Sequence, residues 1–151
     1  MPISCRVTRG DLTESIHVAF AVEVDENGQI FFSSGVPNYL TCIRSSLKPF
    51  QAAASIKAGA VDSVKFSDEE IALMCASHQG EQIHTDKIFS MLQKLDLNIE
   101  DYECGAHAPS DKKTRYSIVK ASKFASSIHN NCSGKHAGML ALAQYLKKNE
   151  K

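Results

Sequence analysis

The chain has no net charge: 17 basic residues stand against 17 acidic, with six histidines besides. Such a balance leaves no overall field to gather a polyanion or hold an anionic membrane surface, so neither nucleic acid nor membrane is an expected partner. Long apolar runs are missing too. Ile16 to Val24 and Ile71 to Ala76 are far shorter than the roughly 20 residues a spanning helix needs. The opening MPISCRVTRGDLTES has no apolar segment behind its basic residues and carries acids early, unlike a secretory or transit sequence, and the expected location is cytoplasmic. The five cysteines form no C-x-x-C pair and no regular spacing, which speaks against a disulfide framework and for reduced thiols. Internal repeats and low-complexity tracts are absent.

What remains is 151 residues with 43% hydrophobic content, enough to bury one core. Ile16 to Val24 (IHVAFAVEV) is β-branched and aromatic with partial alternation. The turn Asp25-Glu26-Asn27-Gly28 and the run Gln29 to Ser34 follow it, which predicts a β-hairpin. After Gly35, Pro37 and Asn38 the pattern becomes helical. A helix is expected beyond Pro49 with an apolar stripe at Phe50, Ala53, Ala54 and Lys57 and a stop at Gly59. Ser67-Asp68-Glu69-Glu70 is a capping box ahead of IALMCA. Ile83, Ile88, Met91, Leu92 and Leu95 make an amphipathic helix, Cys104 to Arg115 reads as a charged surface loop, and Gly138 to Lys148 as a last helix. Strands first and helices after indicate an α+β unit. A lone hairpin is marginal, so helices or further strands must cover it.

Four segments carry chemistry. Ser45-Ser46-Leu47-Lys48 has the spacing that brings a hydroxyl and an amine to one side of a helical turn, where an unprotonated lysine activates a serine. The pattern alone is weak: Ser110 to Lys113 and Ser117 to Lys120 match it as well, and Pro49 pushes Lys48 toward a turn ahead of the helix. Met74 to Glu81 (MCASHQGE) gathers Ser77, His78 and an acid, although Ser77 and His78 capping a helix end is the plainer reading. Cys104 and His107 could ligate a metal, or more simply form a turn. His129 to Gly138 (HNNCSGKHAG) differs, because nearly every residue is polar, small or reactive directly ahead of an apolar helix. A helix start favours an anion, its glycines would let a ligand approach, and Cys132 with Lys135 and His136 could bind zinc or lie beside a small carboxylate. The upstream glycine and spacing of a phosphate-binding loop are lacking.

RSSLKPFQA (Arg44 to Ala52), CASHQGE (Cys75 to Glu81), CGAHAP (Cys104 to Pro109) and HNNCSGKHAGML (His129 to Leu140) together, in this order, resemble the signatures of the asparaginase II family, the amidohydrolases of the rhizobial inducible type. The resemblance implies hydrolysis of L-asparagine to L-aspartate and ammonia on a β-lactamase-like three-layer fold. On it, Ser45 is the nucleophile, Lys48 its base and Ser77 a second catalytic hydroxyl. Arg44, His78, Asn131 and His136 bind or flank the substrate, and Cys132 and Lys135 are zinc ligands, the lysine held neutral by metal and burial. Family members are about twice this length. The chain is therefore expected to be a single, truncated domain over residues 1–151, holding the amino-terminal portion of the fold and an incomplete zinc site, with impaired activity. A catalytically inactive zinc-binding or interaction module is the alternative expectation, and a homodimer is the assembly that would fit.

Overall fold

The computed structural model describes residues 1–149, and their contacts divide the chain into two compact units, Met1–Cys42 and Ile43–Lys151. Strands occupy the first and helices the second, so the molecule is α+β.

In the first unit, β1 (Ile3–Arg9) and β2 (Leu12–Ala19) form one antiparallel pair, with Ile3 opposite Ala19 and a register shift between Val7 and Thr8. β3 (Ala21–Val24) and β4 (Ile30–Ser34) form a second. The hairpin expected from the sequence is thus present over 21–34, closed by Asp25, whose carboxylate accepts from the amides of Asn27 at 2.9 Å and Gln29 at 2.6 Å. These bonds hold the Asp25 carboxyl below the usual range. The run Ile16 to Val24 is not one strand: it breaks at Phe20, whose ring stacks on Tyr39 with centroids 4.5 Å apart, and the halves pair with different strands. Period-two alternation continues across such a break and does not reveal it. No residue of this unit is buried.

The second unit is built around α6 (Ser133–Asn149), which packs against α1 (Lys48–Lys57), α2 (Ala60–Ser63), α3 (Asp68–Cys75) and α4 (Gln82–Lys94). Its core holds Ala52, Val61, Leu73, Met74, Ile88, Met91, Leu92, Ala137 and Ala141. Each large side chain among them stabilises the fold by about 1.5–3 kcal/mol through removal from water. The capping box forms as expected: Ser67 Oγ accepts from the Glu70 amide and the Glu70 carboxylate accepts from the Ser67 amide at 2.7 Å. Glu70, 1% exposed, is also bonded by Lys94 Nζ at 2.6 Å and Ser90 Oγ at 2.9 Å.

Four expectations change. The face of α1 that packs inward carries Lys48, Ala52 and Ser55, while Phe50, Ala53, Ala54 and Lys57 face outward, because small side chains let α6 come close enough for Ser55 Oγ to reach the Gly138 carbonyl at 3.1 Å. On α4, Ile88, Met91 and Leu92 are buried but Ile83 is exposed. The supposed loop to Arg115 gives way at Lys112 to α5 (Lys112–Lys120), started by Asp111, which accepts from the Thr114 amide at 2.6 Å. The last helix begins at Ser133 rather than Gly138, inside the polar motif. Among the described residues no helix is long and apolar enough to cross a membrane.

Candidate active site

Lys48 opens α1 with helical backbone angles despite the proline after it, since the 3₁₀ turn Arg44–Leu47 delivers the chain already wound. It is 4% exposed. Its Nζ donates to the Ala76 carbonyl at 2.7 Å and to Ser77 Oγ at 2.8 Å, with the Asn131 carbonyl at 3.5 Å. Three separate signatures thus converge on one amine. None of its partners is a carboxylate, and burial, with the charge of Lys135 assisting, pulls its pKa below the ordinary lysine value against an opposing effect of Cys132. A desolvated lysine without a counter-ion is poised to lose its proton.

Ser77 is exposed just past the end of α3, where Ala76 turns to an extended conformation. Ser45 accepts the Lys48 amide at its carbonyl, but its hydroxyl does not bond the Lys48 amine among the described residues. It lines, with Arg44, Lys48, Gln51, Asn131, Cys132 and Lys135, an open cleft of about 310 Å³. Arg44 holds φ at +51°, a left-handed conformation that costs a non-glycine residue on the order of 1 kcal/mol. Two cationic side chains on one small cleft, Arg44 and Lys135, suit a carboxylate-bearing ligand, and the hydroxyl–amine pair suits attack on an acyl carbon.

The remaining expected residues separate. His78 is buried and faces inward: Nδ1 accepts from the Gly80 amide at 3.1 Å, so Nε2 carries the hydrogen and meets Ser133 Oγ at 2.9 Å, and that hydroxyl donates to the Ile128 carbonyl at 3.0 Å. Burial and the neighbouring His84 and Lys48 push its pKa down to about 4. With both nitrogens engaged, His78 braces the segment that carries Ser77. His136 sits edge-on to Tyr102, centroids 6.5 Å apart, and lines a different cleft with Asp101 and Glu103. Asn131 contributes its carbonyl to Lys48 and to the His78 amide at 3.1 Å.

The glycines of the HNNCSGKHAG motif have another use than the one expected. A Cβ on Gly134 would collide with the Leu73 carbonyl, and one on Gly138 with the Met74 side chain, so they let α3, rather than a ligand, approach. Asn130 was not singled out by the sequence. Its Nδ2 donates to the carbonyls of Cys104 at 3.0 Å and Gly105 at 3.2 Å, while its Oδ1 accepts from the Cys132 amide at 3.1 Å and thiol at 3.0 Å, tying the CGAHAP loop to the cysteine. Two adjacent asparagines look alike in sequence, and nothing local tells which one is buried.

Zinc needs four donors in a tetrahedral site. Cys132 and Lys135 line the cleft as two, but among the described residues no three His, Cys, Asp or Glu side chains come together, and His107 is exposed. These residues do not complete a zinc site by themselves.

A family model described as L-asparaginase II matches residues 5–151. No curated protein matches the chain.

Proposed function

The chain belongs to the L-asparaginase II family, and from that premise we propose that it hydrolyses L-asparagine to L-aspartate and ammonia in the cleft around Lys48. The observation that carries the reading is the buried, carboxylate-free Lys48 amine 2.8 Å from Ser77 Oγ, with Ser45 on the same cleft. Arg44 and Lys135 attract the substrate carboxylate. Neutral Lys48, directly or through Ser77, takes the proton of Ser45 as its oxygen bonds to the side-chain amide carbon. Ammonia leaves as the C–N bond breaks, receiving that proton, and water then cleaves the acyl-serine with the same amine as base. The same reading carries a β-lactamase-like fold, supported by the order of strands before helices and by the serine–lysine turn that opens the first long helix. A bound zinc ion would take Cys132 and a neutral Lys135 as two donors and would place the substrate in the lysine's stead. Each step above needs only the protein's own groups.

The test is ammonia release from L-asparagine by the purified chain, with Ser45→Ala, Ser77→Ala and Lys48→Met beside it. Activity in the wild type that falls at least ~100-fold in all three is expected. No release above buffer from a folded wild type, or wild-type rates in Lys48→Met, would overturn the reading.

A further inference from the structure

Overall neutrality conceals a segregated charge. From Lys112 to Asn149 the chain holds no aspartate or glutamate, while Lys112, Lys113, Arg115, Lys120 and Lys123 crowd its first twelve residues. None of these five forms an ion pair among the described residues. The one neighbouring acid, Asp111, is engaged as the cap of α5. Two lysines in the first turn also oppose the helix dipole, a local cost that folding alone does not require.

The same segment exposes its apolar side chains. α5 buries no residue; Thr114 and Ile118 lean inward, half-buried, whereas Tyr116 and Val119 are each 69% exposed and Phe124, just beyond the helix, 95%. On a helical wheel Tyr116 and Val119 lie on the outer side to either side of Lys112, with Arg115 on one flank and Lys120 and Lys113 on the other. Aromatic and aliphatic groups on a convex face, flanked by long cationic stems, match the boundary of a bilayer, where rings enter the headgroup layer and lysines reach back to phosphates. A nucleic acid strand is served by a groove that tracks its backbone, which one convex helix does not provide.

From this juxtaposition we propose that the segment Lys112–Phe124 is a peripheral docking surface for an anionic lipid bilayer, distinct from the cleft at Lys48. It departs from the expectation set by net charge, because a surface responds to the local field and not to the sum.

Co-sedimentation of the full chain with vesicles tests it. Vesicles of phosphatidylcholine with 30% (about a third) phosphatidylserine are expected to retain the protein at low salt and release it as salt rises, and pure phosphatidylcholine vesicles to leave it in solution. Lys112→Glu with Lys113→Glu is expected to lower partitioning by at least ~10-fold, and Phe124→Ser by a smaller factor, both with unchanged circular dichroism. Absence of binding to the anionic vesicles, or binding that neither variant weakens, overturns the proposal. So does a single-stranded RNA homopolymer that displaces the protein from the vesicles and binds it through the same residues.

Discussion

Lys48 and His78 are both buried nitrogen bases with depressed pKa values, yet they serve different ends. Lys48 presents its amine to the exposed hydroxyl of Ser77. A depressed pKa enlarges the neutral fraction at neutral pH, so kcat/KM for ammonia release is expected to rise along a limb centred below the ordinary lysine range; a limb at the value of a free lysine would contradict it. His78 is instead a stability group. Folded, it stays neutral down to about 4, whereas the unfolded chain takes up the proton near 6.5. The unfolded state therefore binds more protons between those values, and stability falls as pH drops through that window, by up to about 3 kcal/mol from this residue, and no further below it. Urea unfolding at pH 7 and 4.5 is expected to show this loss, and His78→Gln to show a smaller one. The sequence displayed both residues beside reactive neighbours, but direction was hidden: CASHQGE cannot reveal that Ser77 turns outward and His78 inward, a consequence of the bend at Ala76.

Helix contacts were legible where a local rule governs and illegible where distance does. The Ser67–Glu70 box could be read because it is closed within four residues. Ser67→Ala is expected to cost about 1 kcal/mol in denaturant unfolding. The contact of α6 with α3 could not be read, since a glycine needed for a neighbouring helix looks the same in sequence as one needed for a ligand. The two glycines differ in what they meet. At Gly134 an added methyl meets a backbone carbonyl that cannot move aside, so Gly134→Ala is expected to cost roughly 2–3 kcal/mol. At Gly138 it meets the flexible end of Met74, and the gain in helix propensity offsets part of the strain, so Gly138→Ala is expected to cost under about 1 kcal/mol. Equal losses in thermal unfolding would remove this explanation of the motif. The run Cys104 to Arg115 reads as loop because turn formers and charge fill it, and a single capping residue, Asp111, is all that marks the helix inside it.

At the scale of the molecule, burial is distributed unevenly. Met1–Cys42 contains no buried residue, while α6 threads a core of fully enclosed side chains. Hydrogen exchange is expected to follow: amides of Leu73, Met91 and Ala137 should exchange at least ~100-fold more slowly than those of β1 to β4, and uniform protection would contradict the division. The strands-then-helices order was visible in the sequence, but the first strand and the switch at Phe20 were not, because polar residues through ISCRVTR and LTES blur the alternation and period two runs unbroken past Phe20. Convergence of three of the four signatures on Lys48 is the whole-chain result with most consequence for function, since the amine meets Ala76, Ser77 and Asn131 from segments far apart in sequence. Its test is the rate of ammonia release from L-asparagine by Lys48→Arg beside the wild type. Arginine keeps the charge but stays protonated, so the expected result is a loss of about 10²–10⁴ in kcat with the fold intact; a variant retaining a tenth or more of the wild-type rate would show that Lys48 is not the base.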